Sequence, residues 1–87
     1  MELPPEDVRA AALRLKRARG HLDHVIAMLE DGSSCQDVLT QLAAVSKAIS
    51  RGAYSIVTTG LQKCVDAEGR LDPEQAQSLE KLFMSLA

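Results

Sequence analysis

The chain has 87 residues with no Trp, one Tyr, one Phe and a net charge of −2, and 46% of its residues are hydrophobic. A chain of this length forms one domain, here residues 1–87, and buries only about 60% of its unfolded surface when it folds alone. The apolar content excludes a disordered chain, and the scarcity of aromatic side chains predicts a core that a second copy completes.

The N-terminal segment is acidic and contains two prolines. It has neither the basic nor the apolar region of a signal peptide, and no run of about 18 apolar residues occurs in the chain. Two cysteines are too few for a disulfide-rich secreted scaffold. We therefore expect a cytoplasmic protein that makes no membrane contact.

A first helix is predicted over about residues 6–30, because Pro5 and the acids after it are typical of a helix start. Its apolar positions recur at steps of three and four residues: Val8, Ala11, Leu15, Ala18, Leu22, Val25 and Leu29. A block without acids carries the basic residues Arg9, Arg14, Lys16, Arg17 and Arg19. This block predicts a polyanionic partner; the alternative is a solvated face whose arginine stems cover apolar surface.

A second helix is predicted over about residues 34–64, with Ser33 or Ser34 at its start, after a turn in which Gly32 forms a left-handed cap. Its apolar stripe contains Val38, Leu42, Val45, Ile49 and Ile56. Gly52 and Gly60 lie inside this helix, which indicates close packing or a local bend.

A third helix is predicted over about residues 73–86, with Asp72 as its cap and Pro73 in its first turn. Its stripe is Ala76, Leu79, Leu82 or Phe83, and Leu86. The sequence therefore predicts an all-α protomer of three helices. Because the second helix is about 45 Å long, two copies are expected to pack as an antiparallel four-helix bundle.

The two cysteines are 29 residues apart and, at about 100° per residue, lie about 20° apart round the second helix. Along its axis they are about 43 Å apart, whereas a disulfide needs Cα atoms within about 7 Å. In an antiparallel pair of second helices, Cys35 faces Cys64 of the partner subunit, and twofold symmetry makes two such sites. The alternative is two inert cysteines that act as small hydrophobic residues.

Residues 14–22 (RLKRARGHL), residues 35–45 (CQDVLTQLAAV) and Cys64-Val65 together resemble the copper-sensitive operon repressor family. That family also contains nickel/cobalt, formaldehyde and persulfide sensors. The resemblance implies a dimer core of four antiparallel helices, a tetramer made of two dimers, and a repressor that releases operator DNA when an inducer reacts at thiols between subunits.

The family resemblance also implies roles for basic residues. Residues at the positions of Arg14 and Arg51 are tied to DNA binding in the family, and both are arginine here. Further basic residues extend the predicted phosphate-binding face: Lys16, Arg17, Arg19 and Lys47.

Copper sensors of this family bind the metal through Cys, His and Cys, and the position of the His is Gly60 here. A site with two thiols and no His resembles the persulfide-sensing branch. There, Cys35 would attack a sulfane sulfur and Cys64 of the partner subunit would close a di-, tri- or tetrasulfide bridge. Cys35 is the expected attacking thiol because the dipole at the start of the second helix favours a thiolate.

The main functional prediction is therefore a repressor that senses reactive sulfur, needs no cofactor and is not an enzyme. The first alternative is a Cu(I)-responsive repressor that uses the same two thiolates, and the second is a helical interaction module with inert thiols. Tyr54 and Glu80 fall at family positions around the copper site, and Tyr54 is alternatively a plain core residue. His21 and His24 are too few to form a metal site by themselves.

Overall fold

The computed structural model describes residues 2–65 and 68–86, and it confirms the all-α prediction. The described residues form the helices α1 (Arg9–Glu30), α2 (Cys35–Lys63) and α3 (Pro73–Ser85). No strand forms in this part of the chain, where a single antiparallel bridge pairs Val65 with Leu71. None of the described helices combines the length and apolarity needed to cross a lipid bilayer.

The first helix begins later than the proline signal predicts. Pro5–Asp7 form a 3-10 turn in which the Asp7 N–H donates to the Pro4 carbonyl at 2.9 Å. Val8 then leaves helical geometry, with φ −112° and ψ 13°, so α1 starts at Arg9. The turn is held against the end of α2 by a 2.8 Å ion pair between Asp7 and Lys63.

The predicted turns and caps around the other helices are confirmed. Gly32 has a φ of +77°, the left-handed geometry that glycine adopts without a Cβ clash. Ser34 Oγ accepts the Asp37 N–H at 3.2 Å and caps α2. Asp72 Oδ1 accepts the Glu74 N–H at 3.1 Å and caps α3. These helix ends are correct because a local hydrogen bond decides each of them.

Helices α1 and α2 form an antiparallel hairpin whose buried residues recur every seven positions. The buried residues are Ala11, Ala18 and Val25 on α1 and Val38, Val45 and Gly52 on α2. A Cβ on Gly52 would lie 2.7 Å from Leu15 Cδ2, so a larger residue at this position would force the Leu15 side chain to move. The seven-residue period is that of helices that wind around each other as a coiled coil.

Only half of each predicted apolar stripe is used inside the hairpin. Leu22 is 36% exposed, Leu42 40% and Ile49 45%, although they alternate along the chain with the buried positions. On α3, Leu79 and Phe83 are half-buried, whereas Leu82 is exposed, so Phe83 is the inward member of the Leu82 or Phe83 pair.

The hairpin is one layer of helices thick. With α3 included, the extents of the chain are 56 × 24 × 15 Å, and the smallest of them is not far above the roughly 10–12 Å diameter of one helix. The radius of gyration is 16.6 Å, against about 12 Å for a compact domain of this length. The accessible surface of 6603 Å² is roughly a third larger than that of a compact monomer of this mass. Stable domains pack at least two layers, so this protomer leaves an apolar face open.

Candidate functional site

Cys35 is the first residue of α2 and its side chain is exposed. The preceding Ser34 caps the helix, so the position of Cys35 is determined by the start of α2 rather than by a flexible loop. Its thiol is free. Cys35 is therefore accessible to a dissolved reagent or metal ion in this protomer.

Cys64 follows the last residue of α2 and is only 4% exposed. Its N–H donates to the Gly60 carbonyl at 3.2 Å, and its carbonyl accepts the Asp72 N–H at 2.7 Å. Since Asp72 also caps α3, the backbone of Cys64 is tied directly to the start of that helix. The Cys64 thiol is free and shielded within the protomer.

The two thiols lie at opposite ends of α2. That helix has 29 residues, so its ends are about 43 Å apart. Within one chain the thiols can neither form a disulfide nor share a metal ion. A site containing both cysteines therefore requires a second copy.

Gly60 is buried one helical turn before Cys64, and α3 covers it. A Cβ built on Gly60 would lie 2.9 Å from Leu79 Cδ1 and 3.3 Å from Leu79 Cδ2. The leucine side chain thus occupies the space into which any side chain at position 60 would extend. Position 60 supplies no ligand, and the room for one is taken.

Tyr54 and Phe83 make a second contact between α2 and α3. Their ring centroids are 6.0 Å apart at an interplanar angle of 61°, an edge-to-face arrangement. Tyr54 is 61% exposed, so it is not a core residue of the protomer. Glu80 is exposed on α3, next to Leu79.

Opposite sides of the hairpin differ in chemistry. The residues buried between α1 and α2 form a line along each helix. At about 100° per residue, exposed apolar side chains lie to one side of this line and form what we call the apolar face. Its residues are Leu15, Leu22 and Ile26 on α1 and Leu39, Leu42 and Ile49 on α2. Cys35 lies on this same side of α2. Arg14, Arg17 and Arg51 lie on the opposite side, the basic face.

The basic face is a cluster of three arginines from two helices. Arg14, Arg17 and Arg51 line a hollow of about 130 Å³ together with Ala48. None of the three forms an ion pair with another described residue. The other predicted DNA-binding residues are exposed and do not line this hollow: Lys16, Arg19 and Lys47.

The predicted histidine pair does not form a metal site within the described chain. His21 Nε2 is 2.7 Å from Gln41 Oε1, a hydrogen bond that joins α1 to α2 on the side of the basic face. His24 is exposed. The described residues contain no group of three or more His, Cys, Asp or Glu side chains able to hold a metal ion.

The sequence model of one protein family, described as metal-sensitive transcriptional repressor, matches residues 7–85. The chain belongs to this family. This membership confirms the family predicted from the sequence motifs. Metal-sensitive transcriptional repressors are regulators, so the prediction that the chain is not an enzyme is confirmed as well.

Individual relatives match between 68% and 86% of this chain. The chain is 46% identical to the copper-sensing transcriptional repressor CsoR of Mycobacterium ulcerans over 59 residues, which are 68% of this chain and 50% of that protein. It is 36% identical to CsoR of Mycobacterium tuberculosis over 75 residues, 86% of this chain and 62% of the relative. YrkD of Bacillus subtilis is 44% identical over 59 residues, 68% of this chain and 92% of YrkD.

The chain spans about half to three fifths of the length of the two CsoR relatives. No solved structure matches the chain. Sulfur sensing, the main prediction for the inducer, finds no support in these comparisons, and the persulfide-sensing branch is not confirmed.

The sequence does not predict the contacts that join α3 to α2. Its periodicity places Leu79 and Phe83 in the apolar stripe of α3, but it does not show that Leu79 covers Gly60 or that Phe83 contacts Tyr54. A buried glycine opposite a leucine of the next helix becomes recognisable only when the docking of α3 is known.

Proposed function

We propose that the chain is a cytoplasmic repressor that binds operator DNA through its basic face and responds to an effector at Cys35 and Cys64 of the partner subunit. The observation that carries the proposal is the arrangement of two faces on one hairpin. Cys35 lies on the side of the apolar face, and the three clustered arginines lie on the opposite side. Effector and DNA would therefore not compete for the same surface.

The proposed assembly is an antiparallel dimer that buries the apolar face, and two such dimers would form the tetramer. The one-layer hairpin and its exposed leucines support a second copy as the missing layer. Antiparallel packing brings the start of one α2 towards the end of the other. Each dimer would then contain two Cys35–Cys64 sites, one near each end.

Cu(I) is the first candidate effector because the CsoR relatives are named as copper-sensing repressors. Thiolates are soft ligands that suit Cu(I), so Cys35 and Cys64 of the partner subunit would supply the donor set. Gly60 adds no third ligand. When bound, the ion would cross-link the two subunits through their thiolates.

Reactive sulfur is a second candidate, favoured by the space that Leu79 fills over Gly60. In this scheme the Cys35 thiolate attacks the sulfane sulfur of a polysulfide, and the rest of the polysulfide leaves as a shorter sulfide anion. Cys64 of the partner subunit then attacks the persulfide on Cys35, forms a disulfide and releases hydrogen sulfide. The two thiols lose two electrons and the sulfane sulfur gains them.

Helix α3 is the proposed route from the thiol to the basic face. It is tied to Cys64 through Asp72, packs on Gly60 through Leu79 and reaches Tyr54 through Phe83. Because Cys64 is buried, an atom added to its sulfur needs space that only movement of neighbouring groups can supply. A shift of α3 would then alter the surroundings of Arg51, which lines the same groove as Phe83.

The decisive experiment measures DNA release by both effectors side by side. A fluorescent duplex, selected in vitro with the reduced protein, is bound by wild type and by C35S and C64S, and then titrated with Cu(I) or with sodium tetrasulfide. We expect Cu(I) to release the duplex from wild type and not from either variant. Release by tetrasulfide alone, with a bridged dimer in non-reducing mass spectrometry, would replace Cu(I) by reactive sulfur.

Two results would contradict the proposed function. Full release from the C35S variant would remove the thiol pair from the mechanism. Weak duplex binding that does not change with salt would instead favour the helical interaction module, because phosphate contacts by arginine are salt-dependent.

A further inference from the structure

A second concave surface lies beside the basic face and is built from all three helices. This groove has a volume of about 620 Å³ and is lined by nine residues, among them Arg14 from α1, Arg51 and Ser55 from α2, and Phe83 from α3. None of the nine is acidic, although the chain has twelve acidic residues and a net charge of −2. The groove therefore concentrates positive charge on an otherwise slightly acidic protein.

The groove also offers neutral hydrogen-bond donors without a protein partner. The Ser55 hydroxyl and the Gln62 amide donate to no other residue in the described part of the chain. Thr58 lines the same groove, but its hydroxyl already donates to the Tyr54 carbonyl at 2.9 Å. Two guanidinium groups beside free neutral donors form a donor set for an oxyanion with several oxygens.

We propose that this groove is a phosphate site that takes the backbone of duplex DNA, with Ser55 and Gln62 as neutral donors beside Arg14 and Arg51. The inference rests on the proposed DNA-binding function, and it adds two residues that charge and family resemblance do not identify. Phosphate contacts of this kind fix the position of a protein on the duplex without reading its sequence.

The position of the groove makes its occupancy dependent on α3. Phe83 forms one wall of the groove, and Leu79 on the same helix sits over Gly60 next to Cys64. Undocking of α3 would remove the Phe83 wall while leaving Arg14 and Arg51 on the hairpin. The groove is thus the part of the DNA-binding surface that Cys64 chemistry can alter.

The chain carries its own optical probe for this site. Tyr54 lines the groove and is the only tyrosine, and the chain has no tryptophan. Its fluorescence therefore reports on the groove without a label. Inorganic tripolyphosphate does not absorb at the excitation wavelength, so it is the phosphate probe of choice, with sodium chloride of equal ionic strength as the blank.

The test compares two variants that remove a free donor from the groove with one variant that removes a hydroxyl already in use. Tripolyphosphate should change Tyr54 fluorescence in a saturable way, and Ser55→Ala and Gln62→Ala should each weaken binding roughly tenfold, as expected for one hydrogen bond to a charged group. Thr58→Val should bind like wild type, because its hydroxyl proton is already committed. Circular dichroism establishes that each variant is folded.

A second experiment replaces tripolyphosphate by duplex DNA and tests whether DNA supplies the phosphate. With the selected duplex, Arg51→Ala should weaken binding and lower the dependence of log K on log salt by about one, because one phosphate contact is lost. Ser55→Ala should weaken duplex binding with the same salt slope as wild type, because a neutral donor displaces no counterion.

The outcomes separate this inference from the proposed function. Duplex binding weakened by Arg51→Ala but unchanged by Ser55→Ala and Gln62→Ala would overturn the groove and leave DNA binding intact. A Tyr54 response to tripolyphosphate in a protein that binds no duplex would support a phosphate site and overturn DNA as its source. Equal losses in Ser55→Ala and Thr58→Val would also contradict the assignment of donors.

Discussion

Leu79 of α3 lies directly over Gly60 of α2, with its Cδ1 2.9 Å from where a Cβ on that glycine would stand. A side chain at position 60 would therefore force the Leu79 side chain, or α3 with it, to move. This contact is one helical turn from Cys64, so it can be altered without touching either thiol. It provides a direct test of the coupling proposed for α3.

Gly60→Ala is expected to loosen α3. The added methyl group overpacks the contact by about 1–3 kcal/mol, and the higher helix propensity of alanine returns about 1 kcal/mol, so the variant should be modestly less stable. In a Leu79→Ala background the clash disappears, and the same change should raise stability by about 1 kcal/mol. Urea unfolding of the four proteins in this cycle measures both effects.

Gly20→Ala is the matched control for that cycle. Gly20 also lies inside a helix, but a Cβ there would meet nothing within 4 Å. This change should stabilise the protein by up to about 1 kcal/mol in either background. If Gly60→Ala behaves in the same way while Leu79 is present, the close contact does not constrain α3.

The two thiols should react at very different rates in the reduced protein. Cys35 is exposed and Cys64 is 4% exposed, so iodoacetamide should modify Cys35 first and Cys64 only after local opening. Peptide mass spectrometry over a time course gives both rates. Leu79→Ala should accelerate the modification of Cys64 and leave the rate at Cys35 unchanged. Denaturant should abolish the difference between the two rates. Equal rates in the folded protein would argue against a shielded Cys64.

Leu42→Glu should disrupt the proposed antiparallel dimer. Leu42 lies on the apolar face, and burial of a leucine side chain contributes about 1.5–3 kcal/mol, counted twice across a twofold axis. Sedimentation velocity should show a monomer. Leu13→Glu is the control, since Leu13 is 49% exposed on the far side of α1. A dimer that survives Leu42→Glu would place the interface elsewhere.

The three clustered arginines should contribute more to DNA affinity than the dispersed basic residues. Arg17→Ala should weaken binding to the selected duplex and reduce the salt slope by about one, whereas Lys81→Ala on α3 should change neither. Fluorescence anisotropy across a salt series measures both quantities. Lys16→Ala, Arg19→Ala and Lys47→Ala decide whether these predicted residues belong to the same surface, because each phosphate contact adds its own increment to the slope.

The ion pair between Asp7 and Lys63 should make stability depend on alkaline pH. The hydrogen bond from Lys63 to Asp7, together with the carboxylate charge, raises the pKa of Lys63 above its usual 10.5. A raised pKa means that the stabilisation is complete below pH 10.5 and is lost as pH rises through the raised value. Asp7→Asn should melt below wild type at neutral pH and converge with it at high pH. Glu6→Gln should show a much smaller effect in the same direction, because the Glu6 charge is the weakest of the influences that raise the pKa of Lys63.

Local signals were sufficient for most of the helix boundaries. Ser34 and Asp72 each cap the start of a helix through a side-chain oxygen that accepts a backbone N–H two or three residues later. These helix starts therefore depend on no contact with a distant part of the chain. The prediction that the first helix starts at about residue 6 is wrong. Pro5 is compatible with both a 3-10 turn and an α-helix, and the non-helical backbone of Val8 separates the turn from α1. Periodicity alone does not distinguish those two outcomes.

The tertiary roles of the stripes needed the structure. Ala18 and Leu22 belong to one apolar stripe in the sequence, yet Ala18 is buried against α2 and Leu22 is exposed. A period of three and four residues shows which side of a helix is apolar, but not which half of that side a neighbour in the same chain will cover. For the same reason the sequence identified both cysteines, but not the unequal shielding of their thiols.

Most of the internal contacts of the hairpin and most of its open contacts lie on separate residues; Leu15 takes part in both, because it packs on Gly52 and also lies on the apolar face. Alanine, glycine and valine pack between α1 and α2, whereas the larger leucines and isoleucines face outward. Exchange of the outward residues alone would therefore change which subunits pair in the proposed dimer. Two chains that differ only at these positions would keep the same protomer without forming mixed dimers, so the proposed response of one chain would be insulated from that of the other.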